Sequence, residues 1–351
     1  NILYIRLFED KTLVATKTVT IPGVDPTNFI GGRLSFRNFT QVGPTDHAFE
    51  LGPAASYIYN YNSNWGGNVD FKSPRVYLRT TIFNQDAYIE KTGAANDYLT
   101  GGCTYLGDAE FNLSNMVNTG YLYLATAIPS NVTGNLSLRN TGSYGTLSFG
   151  NSAGVYTIGG DLLMEQITSG TQSHHTYFGN NAASTFNIGG DVSILNSAFN
   201  TVGSQHIYFL NNGSSTVGGN VTSVNSGTGG LNKYVYIGNA GSIDIAGTLD
   251  IDQTTTATAG QTLIANAAAS TVSIDGAVNI SSSSLGTTTA RVYVGEYGDV
   301  IFNSTLNMIN SSNATNSQYY LNNRAGSDNQ YNDNVTLSSL NTNSDGFHFG
   351  V

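Results

Sequence analysis

Ile158-Gly159-Gly160-Asp161-Leu162, Ile188-Gly189-Gly190-Asp191-Val192 and Val217-Gly218-Gly219-Asn220-Val221 are three copies of one motif, about 29 residues apart. A period in this range marks stacked repeats, in which each unit buries its apolar face only against its neighbours. The register continues through Ala246-Gly247-Thr248-Leu249, Asp275-Gly276-Ala277-Val278, Asn303-Ser304-Thr305-Leu306 and Asn332-Asp333-Asn334-Val335. Upstream it runs less evenly through Thr133-Gly134-Asn135-Leu136, Leu106-Gly107-Asp108-Ala109, Gly66-Gly67-Asn68-Val69 and Gly31-Gly32-Arg33-Leu34. A second motif travels with the first, as Thr176-Tyr177-Phe178-Gly179-Asn180, Ile207-Tyr208-Phe209-Leu210-Asn211, Val235-Tyr236-Ile237-Gly238-Asn239 and Val292-Tyr293-Val294-Gly295-Glu296.

Within each repeat three short runs alternate apolar and polar residues, as strands with one buried face do. Phe186-Asn187-Ile188 precedes the glycine corner, Val192-Ser193-Ile194 follows it, and the tyrosine motif is the third run. Three strands per repeat of about 29 residues describe one coil of an all-β parallel β-solenoid, with right-handed coiling expected from the usual hand of parallel crossovers. Glycine is expected at the corners for its access to positive φ, and Asn as the next most tolerant residue. About ten or eleven coils at the strand spacing would form a rod of roughly 50 Å. A propeller or sandwich would need two-residue Asn-Gly or Asp-Gly hairpin turns, which are scarce.

Composition agrees. The chain has 351 residues, only 10% charged and 39% hydrophobic, with 41 Gly. That is too apolar for disorder and too poor in strong helix formers for a helical protein. Three segments are expected: residues 1–30 as N-terminal strands that cap the first coil or cross to a neighbour, 31–130 as irregular coils, and 131–351 as regular coils with an uncapped C-terminal end. The chain starts at Asn1 and stops at Val351 directly after a repeat strand, and is read as part of a longer exported protein.

Net charge is −10; residues 1–100 carry nine basic and nine acidic side chains, residues 101–351 four and fourteen. Nucleic acid is therefore not an expected partner, since phosphate binding needs a basic stripe. No apolar run is long enough to span a membrane as a helix. Cys103 is the single cysteine, so no disulfide within the chain and no thiolate cluster is possible.

Tyr177, Tyr208, Tyr236, Tyr293 and Tyr320 form an outward column on the third strand, interrupted by Leu263. Exposed, these rings could stack on sugars or a partner; the simpler reading is that they stabilise the sheet face. Asn151, Asn180, Asn211, Asn239, Asn266 and Asn323 end the same strand and are expected to form an amide ladder. Asp161 and Asp191 share a register, as a Ca²⁺ pair might, but Asn220, Thr248 and Ala277 continue that column, so no metal or other cofactor is expected. Gly150-Asn151-Ser152-Ala153-Gly154 matches a nucleophile elbow in string only, because that motif needs a strand-to-helix turn. His174, His175 and His206 read as loop polar residues. The outward column of the second strand, from Ser137 through Leu163, Ser193, Thr222, Asp250, Asn279 and Asn307 to Thr336, holds one carboxylate, fewer than glycoside cleavage requires. Ile2 and Tyr4 at one end and Phe347 and Phe349 at the other are the candidate assembly residues, because solenoid ends expose apolar core and strand edges.

Asn84-Gln85-Asp86-Ala87-Tyr88-Ile89-Glu90-Lys91-Thr92-Gly93, then Asn96-Asp97-Tyr98 and Gly101-Gly102, with the Gly-Asn-Val and Tyr-Ile-Gly-Asn rungs, resemble very long repeat proteins exported to the surface of gliding-type bacteria, often by a type IX route. The resemblance covers the chain from about residue 65 onward, without the C-terminal sorting domain of such proteins. It implies an extracellular structural or adhesive role, as a segment of a surface fibre or self-assembling filament, and supplies no catalytic residues. Self-association end to end or through the N-terminal strands, and glycans or cell-surface partners, are the expected contacts. The alternative is a secreted β-helix that binds or cleaves glycans.

Overall fold

The computed structural model describes residues 11–14, 33–51, 57–99, 101–114, 120–142, 145–167, 173–199, 203–229, 231–284, 289–312, 316–322, 328–340 and 346–350. All regular structure among them is strand, and every strand pair is parallel, as a solenoid requires and a hairpin fold does not. Three long sheets run along the rod: sheet I with 13 strands, sheet II with 12 and sheet III with 10, the last preceded by a three-stranded sheet on the early coils. One coil runs from Gly154–Ile158 in sheet I, through the glycine corner, to Leu162–Gln166 in sheet II, then by a loop to His174–Phe178 in sheet III, and returns to sheet I at Ser184–Ile188.

Alternation decides what is inside. In Val192–Asn196, positions one, three and five are buried and the other two half-buried. Successive coils stack like on like: Phe149 on Phe178 at 5.8 Å, Phe178 on Phe209 at 5.8 Å and Tyr156 on Phe186 at 4.7 Å. In the early coils Trp65 fills the core against Phe36, Phe39 and Phe71.

The fifth position of the sheet II strand is polar yet fully buried, at Asn140, Gln166, Asn225 and Gln253. Each of these amides donates across the mouth of the loop to the carbonyl of the first or second residue of the next strand: to Gly145 at 3.3 Å, His174 at 3.3 Å, Lys233 at 2.9 Å and Gly260 at 2.9 Å. The side chain thus satisfies its own buried amide while tying the two ends of the loop together.

The two glycine corners differ. Between sheets III and I, Gly150, Gly179, Gly238 and Gly295 have positive φ, as expected, and Leu210, Ala265 and Asn322 adopt the same conformation at the equivalent place. The Gly-Gly corner between sheets I and II is not left-handed, which corrects the expectation. A Cβ on Gly189 would lie 2.4 Å from the Gly159 carbonyl oxygen, and one on Gly190 would lie 2.1 Å from Asp161 Oδ1. These glycines are required by the close approach of coil to coil.

Of the N-terminal segment, Lys11–Val14 is a strand paired in parallel with Phe39–Val42, opening sheet I. Ile2 and Tyr4 lie outside the described residues. At the other end Gly346–Phe349 pairs with Asn316–Leu321 as a further sheet III strand, and Phe349 is 63% exposed.

Candidate functional site

The tyrosine column lies on the outer side of sheet III, but it is less open than its sequence position suggested. Tyr177 and Tyr208 stack with centroids 4.5 Å apart at 9°, Tyr208 and Tyr236 at 4.4 Å and 6°, and beyond Leu263 Tyr293 and Tyr320 at 4.7 Å and 7°. Tyr293 is only 8% exposed and the other four are half-buried. At this spacing no sugar ring fits between neighbours, so each phenol face is spent on the next rung and the ring edges remain. Desolvation raises the hydroxyls of Tyr177 and Tyr208 well above the ordinary range and pushes Tyr236 up to about 12.

A second outward column flanks the first, and the sequence reading missed it. His175, His206 and Tyr234 occupy paired strand positions rather than loops, because the strands begin earlier than the apolar alternation indicated. His175 and His206 lie 5.0 Å apart, and His206 stacks on Tyr234 at 4.9 Å and 15°. His206 Nδ1 shares a 3.0 Å hydrogen bond with Tyr208 Oη. Desolvation, then His175 and Lys233, holds the His206 pKa down to about 3, so its imidazole is neutral at pH 7. His174 points inward and is fully buried. Tyr177, Tyr208, Tyr236, His175, His206 and Tyr234 form one half-dry aromatic platform.

Sheet II carries two clusters of charged and polar side chains. On the early coils Lys72 lies 3.5 Å from Glu50 and 3.8 Å from Glu90, and Arg139 lies 3.3 Å from Glu110 and 2.6 Å from Glu165. Asp70 beside them has its pKa raised by desolvation and by Glu90. On later coils a shallow groove of about 220 Å³ is lined by Asp250, Asp252, Asn279, Ser281, Asn307 and Ile309. Its carboxylates are engaged: Asp250 accepts from Asn279 at 2.7 Å and Asp252 from Ser281 at 2.9 Å.

The remaining sequence candidates resolve into structure. Asp161 Oδ1 accepts the backbone N–H of Asp191 at 2.8 Å, and Asp191 Oδ1 that of Asn220 at 2.7 Å. The same bond recurs from Asp46 to Asn68, Asn68 to Asp86, Asp86 to Asp108, Asp108 to Asn135, Asn135 to Asp161 and Asn220 to Thr248, so the pair is part of a corner ladder. Among the described residues no group of three or more His, Cys, Asp or Glu is placed to hold a metal ion. The amide ladder forms as expected: Asn180, Asn211, Asn239 and Asn266 each donate to the preceding Asn at 3.2, 2.7, 2.8 and 2.8 Å, and Asn323 lies outside the described residues. Ser152 of the elbow string hydrogen-bonds Tyr156 Oη at 2.7 Å inside a corner. Cys103 is buried, its thiol pushed up to about 11 by desolvation, which keeps it unreactive.

These features define a class: a three-sided parallel β-solenoid whose corners and outer faces are tied by side-chain ladders running along the rod. No protein-family model, curated protein or solved structure matches the chain.

Proposed function

We propose that this chain is a structural, non-catalytic segment of an extracellular fibre or surface adhesin. The observation that carries the reading is the axial continuity of its ladders. The corner carboxyl-to-amide series, the Asn series and the tyrosine stack each bond coil to coil, so side-chain chemistry is spent on holding a rod together. Ladders of this kind resist shear between coils, because displacing one rung breaks bonds in several columns at once. The surface location rests on the motif resemblance given above. Tyr331, Leu337 and Phe347 pack only partly against the core in the last described coil, beside the exposed Val335 and Phe349, and offer an apolar face to a second copy in end-to-end association.

Electron microscopy and small-angle scattering of the purified chain test the proposal. Rods that associate end to end or laterally with rising concentration are expected. Isolated compact particles at every concentration would remove the fibre reading. A glycan-binding role is the second reading, favoured by the groove beside Asp250 and Asp252, whose amides and carboxylates suit sugar hydroxyls. A glycan array with an Asp252→Ala control, and a reducing-end assay, separate it from the first.

A further inference from the structure

The early coils carry a surface that the overall charge balance of the chain hides. Arg33–Arg37, Tyr57–Tyr61 and Arg75–Arg79 are the three strands that precede sheet III, paired in register. On their outer side the two flanking strands bring Arg33, Arg37, Arg75 and Arg79, and the middle strand brings three tyrosines. Every guanidinium lies over a ring: Arg33 Cζ is 4.4 Å and Arg37 Cζ 4.7 Å from the Tyr59 centroid, Arg75 Cζ 5.2 Å from Tyr77 and Arg79 Cζ 5.4 Å from Tyr61. A guanidinium laid on a ring keeps its N–H edge available and is ordered before any ligand arrives, which suits it to a planar oxyanion. Asp97 takes Arg75 at 3.1 Å. Among the described residues no carboxylate pairs with Arg33, Arg37 or Arg79, and Arg33 Nε is buried without a hydrogen-bond partner.

The complementary charge is on the same chain. Residues 101–351 carry fourteen acidic and four basic side chains, and residues 241–280 hold four aspartates with no Lys or Arg. Asp250 and Asp252 are engaged on sheet II. Asp244 on Ser242–Ile245 and Asp275 just past Thr271–Ile274 are exposed, and with Thr216 and Ser273 they line an open groove of about 400 Å³ on sheet I. Asp275 accepts from Asn303 at 2.9 Å, whereas the Asp244 carboxylate has no partner among the described residues. We propose that the arginine–tyrosine face docks into this groove on a second copy of the chain, a contact that rests on the fibre reading and gives it a lateral bond. Arginine and carboxylate then pair bidentately. The guanidiniums occupy ring faces that a nucleic-acid base or a sugar would need for stacking, so the face reads oxyanions. Face and groove lie on different sides of the three-sided rod, so two copies cannot satisfy both contacts at once; the interface is heterologous and propagates. In sheet I the Asn64–Trp65 strand, in the same coil as Tyr57–Tyr61, and Ser242–Ile245 are seven steps apart. Neighbouring rods running in the same direction are therefore offset by roughly 34 Å at the strand spacing.

Sedimentation velocity of the full chain, against concentration and salt, tests the contact. Wild type is expected to form species that grow with concentration and to revert to monomer at roughly 1 M salt, where the screening length falls to about 3 Å. Arg37→Gln combined with Arg79→Gln, and separately Asp244→Lys, alter exposed side chains. Each is expected to leave the circular dichroism unchanged and to raise the concentration needed for association at least about tenfold. An equimolar mixture of the two variants holds one intact groove and one intact face, and is expected to form a 1:1 pair that grows no further. Association unchanged in both variants or at high salt would overturn the contact and leave the fibre reading standing, whereas a wild type that is monomeric at every concentration would remove both. A monomeric wild type that retains a sulfated polysaccharide or single-stranded DNA through Arg37 and Arg79 would overturn the contact by giving the face another occupant.

Discussion

Glycine serves two unrelated needs in this chain, and substitutions tell them apart. Gly238 has φ +67° and a Cβ there would meet Val272 Cγ2 at 2.7 Å, so Gly238→Ala adds a left-handed penalty of about 1–2 kcal/mol to a steric one. Ala265 already holds the equivalent conformation at φ 53°, and Ala265→Gly exchanges strain relief for chain entropy. Urea titrations should show a lowered midpoint for the first and a shift within about 0.5 kcal/mol for the second. His206 gives a pH test. Its folded pKa, about 3, lies below the 6.5 of an unfolded histidine, so below pH 6.5 the unfolded chain binds the extra proton. Stability from this group is complete above pH 6.5 and is lost as pH falls toward about 3. The melting-temperature difference between wild type and His206→Gln should therefore move against wild type between pH 6.5 and 4. A difference that stays constant would mean the imidazole is charged in the fold. The period of two in the sequence placed Tyr208 on the outer side correctly. It carries no information on ring spacing, so the closed stack and the histidine column beside it were not legible.

At the level of strands and loops, the inward polar column was the least readable feature. Asn140, Gln166, Asn225 and Gln253 end apolar runs, where a polar residue reads as the start of the loop. Their function emerges only when the loop returns and presents a carbonyl. Lys91 occupies the same column on an earlier coil and closes its loop with bonds to Pro74 O at 2.9 Å and Gly93 O at 2.6 Å, together with the Asp97 pair. Asp97→Ala leaves that ammonium buried without its carboxylate and should cost about 3–5 kcal/mol. Hydrogen exchange should show protection lost first in Arg75–Arg79 and residues 92–97. Uniform loss along the rod would show that the pair does not act locally. The Gly-Gly corners and the Asn ladder, by contrast, were legible because both repeat in linear sequence.

On the scale of the whole molecule, coil length changes along the rod. Successive corner bonds link residues 22, 18 and 22 apart up to Asp108, then 27, 26, 30, 29 and 28 apart. From Gly66 onward the corner between sheets I and II keeps three residues, while the loop between sheets II and III, the corner between sheets III and I and the sheet I strands all change length, which is why the early repeats were harder to align. Because each coil touches only its neighbours, removing one complete coil, Gly218 to Ile245, joins Val217 to Ala246 in register and should leave a shorter folded rod. Circular dichroism should retain its strand signature per residue, whereas deleting half of that segment should put the two sides out of register and lower both that signature and the melting temperature.

The corner ladder also has a direction. At every step the upstream residue, from Asp46 through Asn220, offers the oxygen and the downstream coil brings the N–H, and the Asn column repeats the same sense. A polypeptide delivered amino end first therefore meets a finished row of acceptors each time a new turn arrives. Every completed turn is the template for the next, and the rod can be laid down vectorially, in the order in which its residues emerge.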